Sequence, residues 1–153
     1  MKKSNDLKQE LFNKCQVFID NRLKAVQLTI WEIQESLTSE TKSSAGDKHE
    51  TGRAMLQLER EKAGRQLAEI QKVNQLLAKI DISKSSNIIV LGSIIYTTQA
   101  NYFITISAGE LKVNNQSFYA ISANTPIAKL LLGKTVGDQI RFRDQEFAVI
   151  KVI

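Results

Sequence analysis

The strongest constraint on the fold is a heptad repeat in the first part of the chain. Its apolar residues follow one another at intervals of seven, four, three, four, three and four: Phe12, Ile19, Leu23, Val26, Ile30, Ile33 and Leu37. Residues at this spacing share one side of an α-helix and form the seam of a coiled coil. The repeat therefore predicts a long helix that buries one stripe against another helix.

A weaker repeat predicts the second helix. It consists of Leu56, Ala63, Leu67, Ile70 and Leu77, with Arg60 and Asn74 interrupting the stripe. Between the two repeats, residues 38–50 are polar and contain turn-forming residues, which predicts a connection where the chain reverses. Two helices of roughly 30 residues each would form an antiparallel coiled-coil hairpin on the order of 45 Å long. Trp31 and Met55 would flank its tip, either packed within the hairpin or available to a partner.

The amino-acid composition changes near residue 82. The chain before this point contains no Pro and only three Gly, whereas β-branched and aromatic residues are frequent after it. β-Branched and aromatic residues are typical of strands. We therefore predict an α+β protein, with the coiled-coil hairpin in residues 1–82, its tip loop at about 38–50, and a small β-rich domain in residues 83–153.

The second domain is predicted to contain several strands and one short helix. The strand predictions cover residues 88–91, 94–97, 102–106, 116–121, 139–143 and 146–153. The helix prediction extends from Thr125 to Gly133. Thr125 suits the N-cap, Pro126 suits the first helical position, and Gly133 suits a left-handed residue after the last turn. An Asn114-Asn115 pair predicts the turn before the strand at 116–121.

Charge, cysteine content and hydropathy limit the function classes. The net charge of +5 allows an acidic or nucleic-acid partner without requiring one. Cys15 is the only cysteine, so it forms no intramolecular disulfide, and its helical position indicates a small buried apolar side chain in a cytosolic protein. The chain has no apolar stretch of about 18 residues, so we expect no membrane contact. It also lacks a Ser-His-Asp set, a P-loop and a dinucleotide fingerprint.

Two carboxylates are predicted at the hairpin tip. Asp47 and Glu50 are three residues apart at the start of the second helix, so they share one face of its first turn. Two hard oxygen ligands suit Mg²⁺, which keeps several waters and relies on only one or two carboxylates from a given protein. The alternative interpretation is structural, with Asp47 as the N-cap and Glu50 as its capping-box partner, worth about 1 kcal/mol.

Two motifs carry a resemblance to a known family. Residues 125–138 read Thr-Pro-Ile-Ala-Lys-Leu-Leu-Leu-Gly-Lys-Thr-Val-Gly-Asp, and residues 46–50 read Gly-Asp-Lys-His-Glu. The first run resembles the signature of the GreA/GreB family of bacterial transcript cleavage factors, and the second resembles the family's Gly-Asp-x-x-Glu tip motif. Glu59 coincides with a glutamate that is common in the family. The order of elements is also similar, with a coiled coil followed by an FKBP-like C-terminal domain.

The resemblance implies an accessory factor of RNA polymerase that is not itself an enzyme. Its coiled coil would enter the secondary channel of the polymerase, where Asp47 and Glu50 would share a catalytic Mg²⁺ with the polymerase and promote hydrolysis of backtracked RNA near its 3′ end. The factor would have no cofactor of its own and would act as a cytoplasmic monomer. Signature residues would contact the partner: Thr125, Pro126, Ile127 and Gly133.

Two alternatives remain open at this point. Residues 51–54 read Thr-Gly-Arg-Ala, whereas the family usually has Asn-Ala-Glu-Tyr, so Arg53 replaces an acidic residue and Ala54 an aromatic one. This difference favours a regulatory binder that occupies the secondary channel without stimulating cleavage, as inhibitory relatives do. The other alternative is an interaction module unrelated to polymerase, whose coiled coil dimerises.

Overall fold

The chain folds into two long helices followed by a six-stranded sheet and one short helix. The computed structural model describes the backbone of residues 2–42 and 47–153 and the side chains of residues 5–39 and 51–153. Its elements are α1 (Lys2–Lys42), α2 (Asp47–Ala78), β1 (Ile94–Thr97), β2 (Asn101–Thr105), β3 (Gly109–Val113), β4 (Gln116–Ser122), α3 (Pro126–Leu131), β5 (Gln139–Phe142) and β6 (Gln145–Val152). The α+β class is confirmed.

The chain divides into two compact units. The helical unit comprises Ile19–Asn74, and the sheet unit comprises Met1–Phe18 together with Gln75–Ile153. The first part of α1 and the last part of α2 thus belong to the sheet unit. The domain boundary at residue 82 stays a prediction.

The helices extend into the predicted connection from both sides. α1 continues to Lys42 and α2 begins at Asp47, so helical backbone occupies much of residues 38–50. Within this segment Thr38 Oγ1 donates to the backbone oxygen of Gln34 at 3.0 Å, so its hydroxyl is satisfied within the helix. Neither long helix has an apolar stretch sufficient to cross a membrane within the described residues.

An apolar seam between the described parts of the two helices stabilises the helical unit. Ile33, Leu37 and Ala63 form its buried cluster, and the half-buried Ile30 and Leu56 pack against them. These residues belong to the two predicted repeats, which are confirmed here. The seam joins the helices because each of them buries one stripe and leaves its other sides in water.

The sheet has the strand order β3-β4-β2-β1-β6-β5. The β2–β4 pair is parallel, and the other pairs are antiparallel. Ile94 and Ile95 are adjacent in β1 and both fully buried. Because adjacent strand residues point to opposite faces, both faces of the sheet are covered. α3 packs on one face, where Ala128 and Leu131 join the core cluster of Ile95, Ile104, Phe147 and their neighbours.

Cys15 of α1 contacts the opposite face of the sheet. Its Sγ lies 3.6 Å from Oγ1 of Thr105 in β2, and both residues are fully buried. The predicted role of Cys15 as a small buried side chain is confirmed. Burial also raises the pKa of its thiol, because the thiolate is poorly solvated there, and the hydrogen bond with Thr105 opposes this effect only in part.

The strand prediction at residues 88–91 is wrong. This segment is irregular, and only Ile89 is buried, while Ile88, Val90 and Leu91 are exposed. Ile89 is fixed by two backbone hydrogen bonds, from its N–H to the oxygen of Lys134 at 2.8 Å and from the N–H of Gly133 to its oxygen at 2.9 Å. A short apolar run does not by itself distinguish a strand from a tethered loop.

The pH dependence of the free energy of unfolding tests the burial of Cys15 in the sheet unit. The folded thiol has a raised pKa, so the unfolded chain loses its proton first as pH rises above about 8.5. The thiol therefore contributes stability that is lost with rising pH, by at most about 1.4 kcal/mol per pH unit. We expect the free energy of urea unfolding to fall more between pH 7 and 9.5 in the native chain than in Cys15→Ala. An equal fall in both proteins would contradict this.

Candidate functional site at the helical pair and the α3 motif

The predicted tip carboxylates lie at the beginning of α2. The helix starts at Asp47, and Glu50 is in its first turn, so the two positions lie on the same side of the helix. The side chains of Asp47 and Glu50 lie outside the described residues, as do those of Lys48 and His49. Both interpretations, a shared Mg²⁺ site and a capping box, therefore stay predictions.

The seam supports the helices up to a point near these positions. Leu37 of α1 is the last buried residue of its repeat, and Leu56 of α2 packs against the same cluster. Glu50 precedes Leu56 by six positions, which corresponds to about 9 Å along α2. The first turn of α2 thus lies about 9 Å along the helix from the described end of the seam.

A groove lies between the two helices beside this seam. It has a volume of about 490 Å³ and contains polar side chains from both helices: Thr29, Glu32 and Ser36 of α1, and Glu59, Lys62 and Gln66 of α2. Ala63 leaves room for the groove because its side chain is short. Glu59, the glutamate that coincides with one in the resembled family, lies here. Within the described ranges, no three or more His, Cys, Asp or Glu side chains come together as a metal site.

The basic side chains in the middle of α2 differ in exposure. Lys62 and Arg65 are exposed, whereas Arg60 is half-buried at a seam position. One guanidinium nitrogen of Arg60 lies 3.2 Å from the point that a Cβ on Gly64 would occupy. The glycine therefore allows the long side chain of Arg60 to lie along the helix, so a charged residue is accommodated within an apolar stripe.

Trp31 and Met55 lie on the outside of the helices. Each is 60% exposed, and Leu28 and Leu58 are exposed one turn away on the same helices. Their interpretation as packing within the hairpin is therefore wrong. Their exposure follows from position, because neither residue falls on the seam of its repeat. The helical unit thus presents large apolar side chains to the surroundings.

The α3 motif, the run of residues 125–138 that contains α3, is fixed by Thr125 where the helix begins and by Gly133 where it ends. Oγ1 of Thr125 accepts from the N–H of Ala128 at 3.3 Å and donates to the oxygen of Ser122 at 2.8 Å, which confirms it as the N-cap. Pro126 occupies the first turn, and its missing N–H costs nothing there. Gly133 has a φ of 84° and closes the helix.

The end of the motif forms a second fixed turn. The carboxylate of Asp138 accepts from the N–H of Thr135 at 2.8 Å, and the backbone oxygen of Asp138 accepts from Val149 at 3.0 Å. Gly137 has a φ of 94°, and its N–H donates to the oxygen of Val149 at 2.9 Å. These bonds join the motif to β6.

The four predicted partner-binding residues differ in accessibility. Ile127 packs against the core cluster, and Thr125 uses its hydroxyl within the protein, whereas Pro126 and Gly133 are exposed. Two neighbouring residues that the sequence did not suggest, Lys129 and Leu130, are also exposed on α3. The helical repeat could have predicted this exposure, because a helix that buries residues 128 and 131 directs residues 129 and 130 outward. The exposed surface of this motif thus includes Pro126, Lys129, Leu130 and Gly133.

Comparisons with known proteins find similarity among solved structures. No protein-family model matches the chain, and no curated protein matches it. The crystal structure of the GreA factor homolog 1 (Gfh1) protein of Thermus thermophilus is 18% identical, with a TM-score of 0.35, and the match covers 88% of this chain and 92% of that one. A structure of the transcription factor Gfh1 is 20% identical, with a TM-score of 0.34, over 88% and 90% of the two chains. Similarity at this level assigns no function.

The exposure of Trp31 predicts how little its side chain contributes to stability. We expect Trp31→Ala to change the free energy of unfolding by less than about 0.5 kcal/mol, because an exposed side chain loses few contacts. Ile33→Ala, two residues along α1 and buried in the seam, is the matched control and should cost about 2–5 kcal/mol. Urea denaturation of both variants measures the difference. A loss above 1 kcal/mol for Trp31→Ala would show that the indole packs within the unit.

Proposed function

We propose that this chain is an RNA polymerase-binding transcription factor of the GreA/GreB type, acting as an accessory protein and not as an enzyme. The observation that carries the proposal is the run 125–138, which resembles the family signature in sequence. Part of the resemblance lies in residues that the fold needs, such as Thr125 and Gly133. The rest lies in exposed residues such as Lys129 and Lys134, whose identity the packing of α3 does not require.

The narrow helical unit supports the proposed mode of action. It has one buried seam, so its cross-section is that of two helices, and the part of α1 from Ile19 to Lys42 rises about 36 Å. We propose that this helical pair enters the secondary channel of the polymerase. The first turn of α2, with Asp47 and Glu50, would then reach the active centre.

The proposed chemistry assigns two ligands to this chain and the rest to the polymerase. Carboxylates are the oxygen ligands that Mg²⁺ prefers, and Mg²⁺ in a two-metal site activates water for attack on a phosphodiester. Asp47 and Glu50 would hold a Mg²⁺ shared with the polymerase and orient its water toward the backtracked RNA near the 3′ end. The protein would act in the cytoplasm as a monomer.

Removing the two carboxylates tests the proposed cleavage. We expect Asp47→Ala with Glu50→Ala to lower the rate of RNA cleavage in a stalled, backtracked elongation complex by about 10²-fold or more, because ligands of the reacting metal are lost. Affinity for the polymerase should change by less than about twofold, since these residues act on the chemistry and not on docking. Cleavage is measured by gel analysis of 3′-end-labelled RNA with Mg²⁺ present.

The matched control is Glu35→Ala with Glu61→Ala, which removes the same charge from exposed positions of the helical unit outside the groove. This control should cleave at the native rate. Native cleavage by the Asp47/Glu50 variant would contradict the metal-ligand role and leave the capping box as their function. Equal losses in both variants would indicate a general charge effect.

A regulatory role is a second candidate, favoured by Arg53. This basic residue stands where the resembled family has an acidic one. It follows Glu50 by three residues, a helical spacing at which a cation would weaken the attraction of Glu50 for Mg²⁺. Such a factor would occupy the secondary channel and inhibit transcription without stimulating cleavage. In the same assay it would leave RNA uncleaved and compete with a cleavage-active factor for the polymerase.

Substitutions on the exposed part of α3 test whether the sheet unit binds the polymerase there. We expect Lys129→Ala with Leu130→Ala to weaken polymerase binding by roughly tenfold, about 1.4 kcal/mol, because both side chains are accessible for contact. Ile150→Ala with Lys151→Ala is the control, since it removes an exposed aliphatic residue and an exposed lysine from β6. Binding is measured by fluorescence anisotropy of the labelled chain. Equal affinity of the two variants would contradict docking through α3.

A further inference from the structure

Lys8 is a buried lysine in the sheet unit. Only 3% of its surface is exposed, although it lies on α1 with other charged residues. Its Nζ donates a hydrogen bond to the backbone oxygen of Lys84 at 2.9 Å. An ammonium that loses its hydration needs acceptors or a negative charge in return. One carbonyl provides only part of that compensation, because an ammonium has three N–H donors.

Asp81 compensates the positive charge of Lys8 only in part. Burial lowers the pKa of Lys8, and the nearby Asp81 raises it by a smaller amount, so the pKa remains below its usual value. The carboxylate of Asp81 is exposed and is itself engaged by Ser83, which donates from its N–H at 3.0 Å and from its hydroxyl at 2.5 Å. The ammonium of Lys8 is therefore stabilised less than it would be by a buried counter-ion.

Lys8 lines a cavity of about 160 Å³. Lys79, Lys84, Ser85 and Ser86 also line it, and Ile80, Val90 and Leu91 form an apolar part of its wall. Its volume is several times the roughly 30 Å³ of one water molecule, so it has room for a tetrahedral oxyanion together with hydration water. Three lysines against the single carboxylate of Asp81 leave an excess of two positive charges around the cavity.

The end of α2 does not counteract this charge strongly. The last carbonyls of a helix carry partial negative charge, but those of Leu76 and Leu77 accept from the N–H groups of Lys79 and Ile80 at 3.1 and 3.2 Å. The positive side chains therefore determine the electrostatic character of the cavity.

We propose that this cavity binds the phosphate group of a small anion. Lys8 provides a fixed, desolvated charge, since its stem is buried, and the exposed Lys79 and Lys84 are long enough to close over the ligand. Serine hydroxyls suit the remaining phosphate oxygens, and lysine binds phosphate as a point charge. The site belongs to the sheet unit and is independent of the transcription function proposed above. The same chemistry admits free phosphate or the phosphate end of a larger molecule.

The test is an NMR titration of the full chain with inorganic phosphate, in potassium chloride that holds the ionic strength constant. We expect saturable shifts of the Ser85 and Ser86 amide signals. Lys8→Met should weaken phosphate binding by at least about tenfold, because it removes the buried charge and retains most of the side-chain volume. Lys112→Met removes an exposed lysine of β3 and should bind within about twofold of the native chain.

If Lys8→Met does not fold, Lys84→Met still tests the proposal. This variant retains the backbone oxygen that accepts from Lys8 and should weaken phosphate binding by at least about threefold. A parallel titration with a nucleoside monophosphate distinguishes free phosphate from the phosphate end of a larger molecule as the ligand. Affinity at least equal to that of inorganic phosphate indicates the end of a larger molecule, and weaker binding indicates free phosphate. Absence of saturable shifts with both anions, or equal weakening by Lys84→Met and Lys112→Met, would overturn the proposal.

Discussion

Burial of both faces of the sheet is the constraint on which the sheet unit depends. Ile94 and Ile95 are neighbours in β1 and are both fully buried, and neighbouring strand residues point to opposite faces. Each face therefore needs its own cover. α3 covers one face through Ala128, and the early part of α1 reaches the other, where Cys15 contacts Thr105. This requirement explains why the early part of α1 belongs to the sheet unit.

The sequence predicted those elements whose residues impose a period or a local stereochemical requirement. The heptad repeat was confirmed because one buried stripe on a helix demands that spacing, and α3 was confirmed because Thr125 and Gly133 satisfy its two ends. The strand at 88–91 was wrong because a short apolar run has no period. β3 (Gly109–Val113) was missed although its buried Leu111 and Val113 alternate with exposed residues, a signal that was available.

The candidate site was less predictable, for two physical reasons. An N-cap and its capping-box partner occur three residues apart, and two carboxylates that share a metal ion from one helical face have the same spacing. The positions of Asp47 and Glu50 therefore fit both roles. Exposure depends on tertiary packing, so the sequence left two roles open for Trp31 and Met55 and did not suggest Lys129 and Leu130 as surface residues.

The α3 motif contains two kinds of residue, and they support different conclusions. Thr125 caps a helix and Gly133 adopts a left-handed conformation, so any chain that builds this capped helix benefits from them whatever it binds. Lys129 contributes neither a cap nor a core contact in the described structure. It is exposed in the last turn of α3, where its charge favours the helix end and is also accessible to a partner. Resemblance at the first kind of residue supports a shared fold, and resemblance at the second kind supports a shared partner. The proposed function therefore depends on side chains that the sheet unit exposes and that its own packing does not need.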